Sequence, residues 1–248
     1  MKCYAQSQSY DLLIFHDSHF VNECRQDHIQ FRRHCMVVQV LDNYDYVLFV
    51  DSDIMVVNPQ KRIEEFIDPS ADIIFYDRFY NWEVAMGSYI VRNTSWSRQF
   101  FLGLAAYYKP YPIMMRRNDN IALMGTAWVR DIWLSNSLWS REGDFMLHGC
   151  KERQKSSYNS TPPRLGIADP GGVWYNPFAG SIDLNRCTPG NTSWNYDENL
   201  IVKKEDIDIQ LRLYSSKVEK EKAMFVDLLK KTLLPKRHIE PYLIKRNL

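Results

Sequence analysis

The chain has 248 residues, enough for one domain or one and a half. Its 45% apolar and 25% charged residues are a globular mix and exclude a disordered tail, a collagen-like fibre and a coiled coil. With 31 Lys and Arg against 30 Asp and Glu, the formal charge of +1 argues against bulk electrostatic binding to nucleic acid or to an anionic membrane.

The first residues are polar, and an apolar run follows at Asp11–Phe15. They form neither a continuous signal-peptide core nor a cleavage site, and no apolar run is long enough to span a bilayer. The chain starts as if within an element, so further residues are expected upstream of Met1. Tyr10–Phe15 reads as a buried strand. Glu23–Leu41 reads as a helix, with Phe31, Cys35 and Val38 on one face. Tyr46–Val50 is wholly apolar, the type of strand buried on both faces of a parallel sheet. A short helix is predicted at Gln60–Ile67 after Pro59, and strands at Asp72–Tyr76 and Gly87–Val91. Ser95–Tyr108 is a predicted helix capped by Thr94 or Ser95. Pro110–Pro112 breaks the chain, and Asp119–Met124 is expected to open a helix. Phe145–Leu147 reads as a short strand and Tyr158–Pro189 as a long ordered loop. Glu205–Leu234 reads as a helix, with a basic tail from Pro235. Strands alternating with helices predict an α/β architecture. The 7 Trp and 15 Tyr suit a deep core and a cleft that stacks on sugars or bases.

The cysteines are Cys3, Cys24, Cys35, Cys150 and Cys187, without a CxxC, which argues against a zinc ribbon or a thioredoxin-type site. Their odd number leaves at least one thiol free or paired between chains. Asn93-Thr94-Ser95 and Asn191-Thr192-Ser193 are glycosylation sequons for a secretory lumen. Asn159-Ser160-Thr161, followed by Pro162, is a poorer acceptor.

The sharpest chemical pattern is Tyr46-Val47-Leu48-Phe49-Val50-Asp51-Ser52-Asp53, a buried strand running into two acids one residue apart. Ligands collect at the carboxyl ends of parallel strands, and residues i and i+2 of an extended chain point the same way. Asp51 and Asp53 can therefore face one cation. Carboxylate oxygens suit Mn²⁺ or Mg²⁺, which in turn bridges a diphosphate. This is the DxD arrangement of nucleotide-sugar transferases. A rival use is the haloacid-dehalogenase phosphatase motif, in which the first Asp is a nucleophile. Met55 stands where that motif has Thr or Val, and no downstream Lys with a second acidic pair is evident.

Tyr46–Pro59 resembles the metal-binding strand of GT-A glycosyltransferases. Gly87-Ser88-Tyr89-Ile90-Val91-Arg92-Asn93-Thr94-Ser95-Trp96-Ser97 and Phe145-Met146-Leu147-His148-Gly149-Cys150-Lys151 are similar to segments of the galactosyl/xylosyl transferase family of yeasts and plants. A nematode family of uncharacterised nucleotide-diphospho-sugar transferase-like proteins is closer still. The shared stretches are Phe31-Arg32-Arg33-His34-Cys35, Phe75-Tyr76-Asp77-Arg78-Phe79-Tyr80-Asn81-Trp82, Asp131-Ile132-Trp133-Leu134 and Cys187-Thr188-Pro189-Gly190-Asn191. The resemblance covers roughly residues 1 to 205.

The resemblance implies a Rossmann-like GT-A nucleotide-diphospho-sugar transferase fold over residues 1–204, with a helical extension and basic tail at 205–248. It implies a metal, Mn²⁺ or Mg²⁺, held by Asp51, Asp53 and His148, with the imidazole favouring Mn²⁺. Lys151 would pair with a donor phosphate, Gly87 and Ser88 would line the sugar pocket, and Asp119 would touch the donor sugar or stabilise the transition state. Asp77 and Arg78, at the carboxyl end of a strand, would touch donor or acceptor, or form a structural ion pair. Most Trp residues are core, and Trp82, Trp128, Trp133 and Trp174 are assigned to no site. The implied partners are a nucleotide-diphosphate sugar and a glycan or glycoprotein acceptor, with no nucleic acid. The implied place is the Golgi or ER lumen, with any membrane attachment through a segment not in this chain. The resemblance leans toward a retaining outcome.

Two departures bear on activity. The first GT-A strand is expected to be missing, because Met1 falls within the helix that should follow it. Only seven residues, Ile121 to Ala127, separate Asn120 from Trp128, where the related proteins carry a longer stretch. These departures support an alternative, a GT-A-like protein that binds a nucleotide, a glycan or a partner without turnover.

Overall fold

The computed structural model describes residues 1–16, 18–81, 83–106, 121–123 and 128–233. Four strands form the larger sheet: β1 (Tyr46–Val50), β3 (Ile73–Arg78), β4 (Glu83–Arg92) and β5 (Ile121–Leu123), in the order β1-β4-β3-β5. β4 runs antiparallel to both β1 and β3, and β5 runs parallel to β3. A smaller sheet has the order β2-β7-β6, from β2 (Ile54–Val56), β6 (Val129–Asp131) and β7 (Met146–His148). Two short parallel strands, β8 (Lys155–Ser156) and β9 (Trp174–Tyr175), lie in the long loop region.

The larger sheet is buried on both faces, and its sequence shows why. In β3 the consecutive residues Ile73, Ile74, Phe75 and Tyr76 are all apolar or aromatic, so neither face can be left to water. Ile73 and Phe75 pack with Val37, Val38 and Leu41 of α2 (Ile29–Leu41) and with Phe101 and Leu104 of α3 (Ser95–Ala106). Ile74 and Tyr76 point the other way, onto Trp128, Val129, Phe145 and Met146 from the smaller sheet and its flanks. The same layer takes in Cys3 and Tyr4 of α1 (Lys2–Gln8). A third cluster, with Val57, Trp139, Leu147, Trp174 and Leu200, lies under the long loop. Thr94 caps α3, its Oγ1 accepting from Ser97 N (3.1 Å).

Several expectations are corrected. Tyr10–Phe15 is not a strand: Leu13 and Ile14 are exposed and this stretch pairs with no sheet. Apolar composition alone could not tell a strand from a groove-lining segment. The helix predicted from Glu23 begins only at Ile29, after a turn that the Cys24–Cys35 disulfide ties to α2. Ile121–Leu123 is a strand and not the start of a helix. β1 lies at an edge of the sheet, half-buried and antiparallel to its neighbour, so it is not a central parallel strand. Among the described residues, no strand pairs with its other edge. Gln60–Ile67 shortens to one 3-10 turn at Ile63–Phe66. Trp82, Pro110–Pro112, Asp119, the side chains of 121–127 and the tail from Pro235 lie outside the described residues.

Cys3 is bonded to Cys187, joining α1 to the loop region, and Cys150 is free. The ion pair of Arg130 with Asp144 is buried and two-pronged, at 2.7 Å and 2.9 Å. Arg130 also donates to the Leu138 carbonyl (3.1 Å), and the Ser140 amide donates to Asp144 (2.8 Å). Removing one partner strands a charge in the interior. Asp144→Ala is therefore expected to cost about 3–5 kcal/mol of stability, measured by urea unfolding. A loss below about 1 kcal/mol would show that the pair is not a structural anchor.

Candidate active site at the end of the edge strand

The site is built where β1 leaves the larger sheet and turns into β2. Asp51 stays bound to the larger sheet, its amide donating to the Gly87 carbonyl (2.7 Å). Asp53 belongs to the smaller sheet, its carbonyl accepting from the amides of Gly149 (3.1 Å) and Cys150 (2.9 Å). Gly149 has φ +92°, a conformation that glycine adopts without strain. The register of the smaller sheet then sets the side chains. His148 stands opposite Ile54 of β2, beside Asp53, and opposite Asp131 of β6.

The result is a chain of polar contacts. His148 Nε2 lies 3.4 Å from Asp53 Oδ1, and its Nδ1 lies 2.6 Å from Asp131 Oδ1. The buried Asp131 carboxylate also accepts from the Tyr80 hydroxyl (3.0 Å). Arg78 Nε is 3.3 Å from Asp131 Oδ2, an ion pair without hydrogen-bond geometry. Arg78 Nη1 pairs with Glu83 (3.2 Å), and its Nη2 lies 2.8 Å from His148 Nδ1. Because the Asp131 contact is the shorter and its partner is a carboxylate, the Nδ1 proton belongs to it, and Arg78 lies alongside. Lys151 Nζ is 4.0 Å from Asp53 Oδ2 and is partly open to solvent.

Asp51 is held apart from this chain by Arg33, projected from α2. Arg33 Nη1 is 2.7 Å and 2.9 Å from the two carboxylate oxygens, and its guanidinium lies over the Phe49 ring at 5.6 Å. Gly87 makes room for this pair, since a Cβ there would stand 2.8 Å from Asp51 Oδ2. Its close approach is thus to Asp51. The register of β3 against β4 shifts at this place: Phe75 faces Tyr89 and Tyr76 faces Ala85, so Met86, Gly87 and Ser88 bulge.

The other predicted residues divide by burial. Ser88 is fully buried, its hydroxyl donating to the Phe49 carbonyl (2.8 Å) and accepting from Trp128 Nε1 (3.0 Å). It is a core residue, with no hydroxyl left for a sugar. Trp128, Trp133 and Trp174 are core as well. Asp119 lies outside the described residues. Arg33, Asp131 and Tyr80 were given no role from sequence. Each sits in one of the stretches on which the resemblance rests.

Burial disfavours the charged imidazole of His148, but hydrogen bonds to Asp131 and Asp53 outweigh it and raise the pKa to about 9. The same hydrogen bond lowers Asp53 against its own burial. Burial raises Asp51, opposed by Arg33. Burial pushes the Cys150 thiol up, which keeps it protonated and unreactive.

A cleft of about 1140 Å³ opens from these residues. Arg33, Asp51, Asp53 and Lys151 form its polar end, and it follows the edge of β1 away from β4 past Leu48 and Tyr46, with Leu12 among its wall residues. As the side chains stand, the described residues include no group of three or more His, Cys, Asp or Glu arranged to hold a metal ion. Asp53 and His148 have the donor chemistry and spacing of two neighbouring ligands of one cation, and Asp131 backs the imidazole as an outer carboxylate. Asp51 could join them only by leaving Arg33.

Residues 1–124 and 123–163 match the family described as "Protein of unknown function, DUF273". No curated protein matches the chain. Among solved structures, a glycosyltransferase involved in the glycosylation of the major capsid of PBCV-1 is similar over 60% of this chain and 83% of that one. The identity is 13% and the TM-score 0.39.

The charge on His148 makes a pH prediction. Its folded pKa lies above the ordinary 6.5, so its stabilisation is complete below pH 6.5 and is lost as pH rises through about 9. With chelator present, the stability difference between the native chain and His148→Gln should be largest below pH 6.5 and shrink toward pH 9. A difference that stays flat across this window would mean a neutral imidazole.

Proposed function

This chain belongs to the DUF273 family, and from the geometry of its site we propose that it transfers a sugar from a nucleotide diphosphate to an acceptor hydroxyl. The observation that carries the reading is the pairing of Asp53 with His148 at 3.4 Å, backed by Asp131 at 2.6 Å, at the polar end of a long cleft. Mn²⁺ is the proposed cofactor, held by Asp53 and His148, with Asp51 as a third ligand once released from Arg33. When bound, the metal would neutralise the diphosphate leaving group. Lys151, 4.0 Å from Asp53 and partly open to solvent, can turn to a phosphate as a point charge, and the guanidinium of Arg33, once released, offers a planar fork to the same group. Asp131 keeps the Nδ1 proton of His148 and so leaves Nε2 facing Asp53. The walls along β1 suit a base and ribose.

The compartment belongs to the same proposal. Disulfides Cys3–Cys187 and Cys24–Cys35 fit an oxidising lumen, such as the ER or Golgi. Asn191, in a sequon, is exposed.

A second reading, binding of a nucleotide or glycan without turnover, is favoured by one observation. The Asp51 carboxylate is already satisfied by Arg33, so the site is charge-balanced without a metal.

Calorimetry with UDP and GDP, with Mn²⁺ or with chelator, separates the two readings. Transfer predicts Mn²⁺-dependent binding and slow hydrolysis of the matching sugar nucleotide. Asp53→Ala should abolish the metal dependence, and Asp131→Asn should weaken Mn²⁺ binding by about 10–100-fold. Mn²⁺ affinity should also rise from pH 6.5 toward about 9, as the metal displaces the His148 proton. Equal nucleotide binding in chelator, unchanged by Asp53→Ala, would remove the metal site and leave the binding reading.

A further inference from the structure

The long helix α4 (Lys204–Leu233) carries a line of apolar side chains that outruns the body it packs on. Ile207 and Val218 are buried, and the Tyr214 ring meets Phe79 at 5.8 Å and Trp133 at 6.1 Å. Gln210 Nε2 donates to the Leu134 carbonyl and fixes this half of the helix. Helical steps carry the same line on to Phe225, seven residues beyond Val218, and then to Leu229. Past Val218, however, no described residue of α4 is buried. Met224 is 72% exposed, Leu228 59% and Phe225 55%.

Over residues 224–231 the exposed stretch is sided. At about 100° per residue, Met224, Phe225, Val226, Leu228 and Leu229 span an arc of about 200°, and Asp227, Lys230 and Lys231 occupy the opposite side. Such an arc is wider than the narrow seam that joins a pair of helices. Charge is segregated on the same part of the chain. Residues 217–248 hold nine Lys or Arg against four Asp or Glu, a net of +5, so residues 1–216 carry −4 within the total of +1. The near-neutral total conceals this asymmetry. A second copy would bring two such basic segments together, whereas an anionic surface would complement them.

We propose that the overhanging half of α4 docks on an anionic lipid bilayer, with its apolar face at the acyl boundary and its lysines among the headgroups. No described helix is long and apolar enough to cross a membrane, so α4 lies on the surface. Basic residues beside such a helix add attraction to acidic lipid. This docking is independent of the sugar-transfer reading.

Vesicle flotation of the full chain tests it. Phosphatidylcholine vesicles carrying about 30% phosphatidylserine should bind at least about tenfold more protein than phosphatidylcholine alone, and salt should reduce the binding. The double variant Phe225→Asp, Leu229→Asp should lose flotation while keeping the native circular dichroism spectrum, since both side chains are exposed. The charge reversal Lys230→Glu, Lys231→Glu should remove the preference for acidic lipid. Absence of flotation, equal binding to both vesicles, or unchanged binding by the variants would overturn the proposal. So would light scattering that shows a dimer broken by Phe225→Asp, Leu229→Asp without vesicle binding, since a second copy would then cover this face.

Discussion

The site depends on the register of three short strands. β2, β7 and β6 contribute three residues each, and their pairing, with the turn that holds Asp53 just before β2, places Asp53, His148 and Asp131 in a row. A slip of one residue would turn His148 to the other face, away from Asp53. The register is held from both sides of the small sheet. Met146 faces the layer of Trp128 and Phe145, and Leu147 faces Val57, Trp139 and Trp174. The Gly149 and Cys150 amides on the Asp53 carbonyl lock the adjacent turn. The core residues of β7 therefore carry the geometry of the polar residue that follows them.

The two acids of the DxD pattern belong to different structural layers. Asp51 is tied to the larger sheet through Gly87 and to α2 through Arg33. Asp53 is tied to the smaller sheet. Neither carboxylate faces an uncompensated charge, because Arg33, Lys151 and His148 stand against them. That balance lets half-buried acids sit at the mouth of a cleft. It also sets the cost of the proposed Mn²⁺ site: a proton would have to leave His148 and a guanidinium Asp51.

The strong local patterns were legible. Tyr46–Val50, Phe145–Leu147, Ser95–Tyr108 and Glu205–Leu234 each lie within a few residues of a real element of the predicted type, because apolar runs and helical periodicity are local properties. Tyr10–Phe15 misled, since an apolar run of that length lines a groove as readily as it forms a strand. Ile121–Leu123 misled because an Asp that opens a helical reading at 119 is a weak cue against β-pairing with distant β3. In the site, Asp53 and His148, named together from the resemblance, stand 3.4 Å apart. Ser88 was misassigned because burial of its hydroxyl under Trp128, forty residues away, has no local trace.

The amino-acid sequence by itself determined an α/β chain, the acidic turn after a wholly apolar strand, and a late His and Lys. It also held the basic bias of the last thirty-two residues, which an average charge conceals. Only the tertiary structure decided that Asp51 answers to Arg33, that Asp131 stands behind His148, and that α4 runs past its support. Each of these is a contact or an exposure between segments far apart in the chain. Short-range propensity fixes which elements form, whereas long-range packing fixes which side chains meet and which apolar faces are left uncovered.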